Sequence, residues 1–213
     1  MEKQKICYIV GGGECLSLGF RPETQDLVIA ADAGYKYLED AGITPDIVVG
    51  DFDTLKYIPK HPNIVELSPI KDVTDSWEAV TIGLKKGYRT FFLYGCLGGR
   101  IEHTMANIQM LSRISDEGGR GYLFDEKNVL TVIKGGEELN FDAVASGFIS
   151  VFSLSDKSEK VTISGLKYEV SNVTLTNTFP LGVSNEFVGK PAHIGLEEGN
   201  LLVIYPQKYL TNP

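Results

Sequence analysis

Cysteine is scarce in this sequence and follows no pattern. Cys7, Cys15 and Cys96 are the only three in 213 residues, and no CxxC pair exists. An odd, scattered set excludes a disulfide framework and argues against a zinc site, so a reducing cytoplasm is the expected compartment. No apolar run approaches the roughly 18 residues of a membrane span. The opening run from Ile6 to Val10 is short for a secretory signal core and reads as a first strand. Asn172-Val173-Thr174 matches a glycosylation acceptor but carries no weight without a secretory signal. Basic clusters are missing too. Twenty Lys and Arg face 28 Asp and Glu, for a net charge of −8, and the longest basic runs are dipeptides such as Lys85-Lys86. Non-specific binding of nucleic acid or of an anionic membrane needs a basic face and is not expected. GxGxxG, GxxxxGK[ST] and GxSxG are absent, which excludes the dinucleotide fingerprint, the P-loop and the nucleophile elbow. His61, His103 and His193 are not spaced as metal ligands.

At about 150 residues per domain, the length allows one large domain or two small ones. The pattern changes near residue 125. Before it, nearly continuous apolar runs at 5–10, 26–30, 46–50, 90–95 and 120–124 suit strands buried on both faces of a parallel sheet. Helical spacing separates them. Residues 34–41 end before Gly42, and 75–86 carry Trp77, Val80 and Leu84 and end before Gly87. Residues 101–113 set Ile101, Met105, Ile108 and Leu111 on one side. Residues 1–125 are therefore expected to form an α/β domain, an open and mostly parallel sheet with flanking helices. Beyond 125 the helical period disappears. Short runs rich in Thr, Val and Ile alternate with turns, and Gly135-Gly136 signals a hairpin. Residues 126–213 are expected to form an all-β sandwich domain.

Open parallel sheets bind ligands at the carboxyl ends of their strands. Acidic residues gather there: Asp32 after one run, Asp51 and Asp53 after the next, Asp72 and Asp75 before a helix, and Glu102 beside Arg100 after another. In an extended GDFDT segment, Asp51 and Asp53 point the same way and suit one hard cation, with Gly50 permitting a sharp turn. The competing reading makes them turn formers or helix caps. Asp75 with Glu78 reads as an N-cap with its capping-box partner, which leaves Asp72 and Thr74 free and Lys71 as a charge partner for phosphate. Gly98-Gly99 followed by Arg100 and a helix forms a plausible phosphate cradle, with planar two-pronged contacts from the guanidinium.

Taken in order, Asp32-Ala33-Gly34, Gly50-Asp51-Phe52-Asp53-Thr54, Lys71-Asp72-Val73-Thr74-Asp75 and Gly98-Gly99-Arg100-Ile101-Glu102-His103 resemble the thiamine pyrophosphokinase family. So do Gly165-Leu166-Lys167-Tyr168 and Val183-Ser184-Asn185-Glu186. The resemblance covers nearly the whole chain. It implies pyrophosphoryl transfer from ATP to thiamine in a homodimer, in a cleft between subunits. By that likeness Asp51, Asp53 and Asp75 hold Mg²⁺, and Asp51, Asp53, Asp72, Asp75, Arg100 and Glu102 form the catalytic set. Asp32, Lys71, Thr74, Gly98, Gly99 and Arg100 contact ATP and its phosphates, and Tyr168, Ser184 and Asn185 bind thiamine. The family carries aspartate where Glu102 stands, and the extra methylene moves the carboxylate outward by about 1.5 Å. An acidic protein also suits the cationic thiazolium ring. Two alternatives stay open: a pyrophosphokinase for another alcohol, such as a hydroxymethyl pterin, and a non-catalytic nucleotide-binding module.

Overall fold

In a computed structural model, residues 4–15, 17–68, 70 and 72–210 are described. The chain divides into two compact units, Met1–Glu126 and Lys127–Pro213. Among the described residues no helix is long and apolar enough to cross a membrane.

Among the described residues, the first unit is built on six parallel strands. They are β1 (Ile6–Val10), β2 (Leu27–Ala31), β3 (Ile47–Gly50), β4 (Ile64–Glu66), β5 (Thr90–Tyr94) and β6 (Arg120–Phe124), in spatial order β6-β5-β1-β2-β3-β4. The chain runs outward from β1 to β4, then crosses back to lay β5 on the other side of β1. That reversal places a crevice at the carboxyl ends of β1 and β5, where such sheets bind ligands. β4 has only three residues and no fully buried one, which leaves it without a strand signal in the sequence.

Three helices connect the strands: α1 (Gly34–Asp40), α2 (Asp75–Lys85) and α3 (Ile101–Asp116). Gly42 and Gly87 take positive φ just past α1 and α2, as helix stops require. Gly83 in α2 admits Phe91 and Cys7 of the sheet, since a Cβ there would stand 2.6 Å from the Phe91 ring. Two expectations are corrected here. Asp75 is not the N-cap of α2. Thr74 is, and its hydroxyl accepts the Trp77 N–H at 3.2 Å while Asp75 and Glu78 lie in the first turn, facing the positive end of the helix dipole. The apolar side of α3 is also rotated. Asn107, Met110, Leu111 and Ile114 point inward, whereas Ile101 and Met105 are 76% and 55% exposed. Leu111 and Ile114 fill the space over Gly121 of β6, so the second half of α3 is the part that packs.

Among the described residues, the second unit holds eight strands: β7 (Asn128–Lys134), β8 (Glu138–Phe141), β9 (Phe148–Ser153), β10 (Lys157–Ser164), β11 (Val170–Thr176), β12 (Gly182–Glu186), β13 (Ala192–Gly195) and β14 (Asn200–Pro206). They pair antiparallel as β12-β9-β14-β7 and as β11-β10-β13-β8. Ile133, Ile149, Val151, Leu201 and Val203 of the first set, with Val161, Ile163 and Ile194 of the second, are fully or almost fully buried. The Phe141 and Tyr205 rings meet edge-on at 5.0 Å, linking the two sets. Gly135-Gly136 does not make a hairpin. A turn forms there, with Glu137 N–H donating to the Lys134 carbonyl, but β7 then pairs with β14 and β8 with β13. The turn carries the chain from one sheet to the other.

Candidate active site

Aspartates stand at both ends of the parallel sheet, in opposite circumstances. At the amino ends, Asp26 accepts the N–H groups of Ile6 and Glu23, and Asp46 accepts that of Val28. These carboxylates are structural. At the carboxyl ends, Asp32, Asp51 and Asp53 bring one carboxylate oxygen each to within 4.8 Å of one another. One oxygen of Asp32, Oδ1, is buried with no hydrogen-bond partner. A buried acceptor left unpaired costs about 1–3 kcal/mol and calls for an explanation such as an ion.

The triad is assembled by backbone strain rather than by strand alternation. Asp32 has φ 46° and Phe52 has φ 60°, a region that β-carbon residues enter rarely. Phe52 turns into the core while Asp51 and Asp53 stay on the outside, and Asp53 N–H bonds back to Asp51 Oδ1 at 3.3 Å. Asp51 and Asp53 thus converge through a turn, not through an extended i, i+2 pair. Gly50 does not make that turn. It lets Asp32 come close, because a Cβ at Gly50 would stand 3.1 Å from the Asp32 Cα. Strain concentrated at one rim of a sheet is characteristic of functional sites. Hard divalent cations such as Mg²⁺ take oxygen ligands, a few of them carboxylates, so this donor set fits one. Asp75, at the first position of α2, lies outside the triad; Asp72 is exposed on the segment before it. Lys71 lies outside the described residues.

Two glycine turns occupy the crevice beside β1 and β5. Gly11–Gly13 follows β1 and Gly95–Gly99 follows β5. Gly11 N–H donates to the Tyr94 carbonyl and Gly13 N–H to the Gly95 carbonyl. Tyr37 of α1 donates its hydroxyl to the Gly13 carbonyl at 2.9 Å. Gly95, Gly98 and Gly99 all have positive φ. Arg100 is the N-cap residue of α3, and its Nε donates to Glu102 Oε1 at 2.7 Å, with both side chains largely exposed. The Arg100 hydrogen bond holds the Glu102 carboxyl below the usual carboxylate range. Glu14 leans over Gly98.

In the second unit, Tyr168 is 59% exposed, and Ser184 is exposed with φ 56°. Asn185 is buried, and both ends of its amide are hydrogen-bonded. Its oxygen accepts the N–H groups of Tyr168 and Glu186, and its nitrogen donates to the Tyr168 carbonyl. Asn185 therefore fixes the backbone under Tyr168. The sequence points to neither Tyr37, Asn107 nor the spacing role of Gly50, and its motifs group Asp75 rather than Asp32 with Asp51 and Asp53, the two that Asp32 joins here. The position of Asp32 directly after the β2 run is the signal that could have placed it with them.

Fold and site define an α/β domain with an acidic, glycine-lined rim, carried in one chain with an all-β domain. Residues 22–123 match the thiamin pyrophosphokinase catalytic domain, and residues 138–201 match the thiamin pyrophosphokinase vitamin B1 binding domain. The chain is 29% identical over 184 residues to the thiamine pyrophosphokinase of Bacillus subtilis (strain 168), covering 84% of this chain and 86% of that one. The crystal structure of the Bacillus subtilis thiamine pyrophosphokinase aligns with TM-score 0.83 at 27% identity, over 95% of this chain and 99% of that chain. That of the thiamin pyrophosphokinase from Geobacillus thermodenitrificans aligns with TM-score 0.81 at 27% identity, over 95% and 97%. This chain belongs to the thiamin pyrophosphokinase family, enzymes that transfer the pyrophosphoryl group of ATP to thiamine. The expected fold, an α/β domain followed by an all-β domain, agrees with those relatives.

Proposed function

We propose that this transfer runs on the rim of the first unit, with Asp32, Asp51 and Asp53 as the ligands of Mg²⁺. The buried, unpartnered Oδ1 of Asp32 carries this assignment. When bound, the cation would neutralise charge on the phosphate oxygens. The chain's own groups do the rest. Amides of the Gly98-Gly99 turn and the Nη groups of Arg100 bind phosphate oxygens, and Arg100 Nε stays with Glu102. Thr74 caps α2 and so fixes the amino end of a helix that follows Lys71 and Asp72 in the chain and begins with Asp75. Those residues belong to the ATP end of the cleft, where a carboxylate accepts the proton of the thiamine hydroxyl.

Thiamine is assigned to the second unit. The exposed Tyr168 ring offers a flat face for a cationic heterocycle, Ser184 a hydroxyl, and Asn185 holds Tyr168 in place. The site is proposed to form between two copies of the chain. Supporting this, Phe148, Val183, Leu181, Phe179 and Val188 are all exposed on or next to edge strand β12 and its neighbour β9. Grouped apolar side chains on a surface mark association. The three free cysteines are consistent with a cytoplasmic setting.

The test is release of AMP from ATP in the presence of thiamine, of a hydroxymethyl pterin, or of neither. Release with thiamine alone supports the reading. Release with the pterin alone, or none with either, defeats it.

A further inference from the structure

The turn after β5 has its carbonyl groups tied down one after another. Gly95 O accepts Gly13 N–H at 2.7 Å, and Leu97 O accepts Glu14 N–H at 3.2 Å. Gly98 O accepts the Thr104 hydroxyl at 3.5 Å. Between them, Cys96 O accepts the side-chain amide of Asn107 at 2.7 Å. Asn107 sits on the inner face of α3, 5% exposed, and is the one buried side chain among these anchors.

A trans peptide is planar, so its C=O and the following N–H point in opposite directions. There are no cis peptides among the described residues. Drawing the carbonyls of Cys96, Leu97 and Gly98 toward the protein therefore turns the N–H groups of Leu97, Gly98 and Gly99 away from it. None of these three N–H groups donates a hydrogen bond among the described residues, and Gly98 and Gly99 are exposed. Successive outward N–H groups form an anion-binding concavity. Positive φ at Gly98 and Gly99 makes the shape accessible to glycine, but glycine alone leaves it loose. A buried bond to the turn is what removes that freedom.

We propose that Asn107 is a positioning residue for ATP: its buried amide fixes the Cys96 carbonyl and thereby aims the Leu97, Gly98 and Gly99 amides at the phosphates. The assignment rests on the reading above, in which the phosphates lie against this turn. Asn107 touches neither substrate. It acts through the peptide between Cys96 and Leu97.

Two variants and one binding measurement test this. Asn107→Leu keeps the branched four-atom side chain and removes the donor. Its KM for ATP should rise about tenfold, equivalent to about 1.4 kcal/mol, while the KM for thiamine stays at the wild-type value. Asn107→Asp places a carboxylate against the Cys96 carbonyl at neutral pH. Burial raises the pKa of such a group, and once protonated it donates again. The ATP defect of Asn107→Asp, taken as a ratio to wild type, should therefore shrink as pH falls. A wild-type KM for ATP in folded Asn107→Leu, or parallel rises for both substrates, overturns the proposal. Should the variants not fold, wild-type protein decides. Titration with Mg²⁺-tripolyphosphate should shift the backbone amide NMR signals of Leu97, Gly98 and Gly99, and unmoved signals overturn the inference. If wild type makes no thiamine diphosphate, the functional reading fails, while the amide titration still tests the turn by itself.

Discussion

Gly50 and Asp32 lie back to back at the ends of neighbouring strands, so close that a methyl group on Gly50 would stand 3.1 Å from the Asp32 Cα and 3.2 Å from its nitrogen. The obstacle is backbone, which has no rotamer to change. Asp32 N–H is also bonded to the Val49 carbonyl at 2.7 Å, so the aspartate cannot back away without stretching that bond. Gly50→Ala should therefore displace Asp32. The expected outcome is a loss of about 1–3 kcal/mol of stability, the usual cost of overpacking, together with a higher Mg²⁺ concentration for half-maximal activity. Thermal unfolding and a Mg²⁺ titration of the rate check both.

Asp32→Asn separates stability from catalysis. Replacing one of three crowded carboxylates removes like-charge repulsion and gives the buried position a neutral group. In metal-free buffer the variant should unfold at or above the wild-type temperature. Activity should fall about a hundredfold or more, the scale of losing one electrostatic contact to the transition state. Mg²⁺-ATP should raise the unfolding temperature of wild type and leave that of the variant unmoved. A variant that is both active and stabilised by Mg²⁺-ATP would remove Asp32 from the site.

The Arg100–Glu102 pair has a pH signature. The folded-state pKa of Glu102 is depressed, so whatever the pair contributes is present above the unfolded value and is lost as pH falls through the folded one. Both groups are exposed, and the effect on stability should be small. The direct measurement is an NMR titration of the Glu102 carboxyl carbon, which should titrate below the usual carboxylate range. Arg100→Ala should return it to the ordinary range. Arg100→Lys should also slow the enzyme by about tenfold or more, because an ammonium lacks the planar fork.

Thiol reactivity should be confined to one cysteine. Burial pushes the Cys96 thiol up to about 12 and the Cys7 thiol higher still, and both are shielded from reagents. Cys15 is only half-buried, though burial raises its thiol as well. Alkylation of native protein at mildly alkaline pH should label Cys15 slowly and the other two not at all. All three should react in denaturant, as mass spectrometry of the digested chain would record.

A site shared between subunits predicts complementation. Asp51→Asn and Ser184→Tyr chains, each inactive, are mixed under conditions of subunit exchange. Half the dimers are then mixed and each has one intact site of two, so activity should return to about a quarter of wild type. No recovery after proven exchange would mean that each chain completes its own site.

Much of the fold is legible in the residues alone. Continuous apolar runs identify β1, β2, β3, β5 and β6, because strands buried on both faces carry that pattern, and Gly42 and Gly87 mark the ends of α1 and α2. The acidic rim is legible because the carboxyl ends of the strands are fixed once the strands are. Contacts distant in sequence are not. The Gly135-Gly136 turn looks local, yet β14 and β13, which pair with β7 and β8, lie more than fifty residues ahead. Thr74 and Asp75 are both good caps, and one residue of helix phase decides between them. Asn107 and Tyr37 read as ordinary helix residues. Only the packing of α3 and α1 beside the glycine turns gives their side chains something to hold.

The contact between Gly11 and Gly95 is reciprocal. A β-carbon on Gly11 would meet the Gly95 carbonyl oxygen at 2.7 Å, and one on Gly95 would meet the Gly11 carbonyl oxygen at 2.4 Å. Each obstacle is main chain, so no change of neighbouring side chain can make room for a substitution at either position. The two turns are in effect a single hinge plate without clearance. A displacement of one of them carries the other with it, so the ends of β1 and β5 behave as one part.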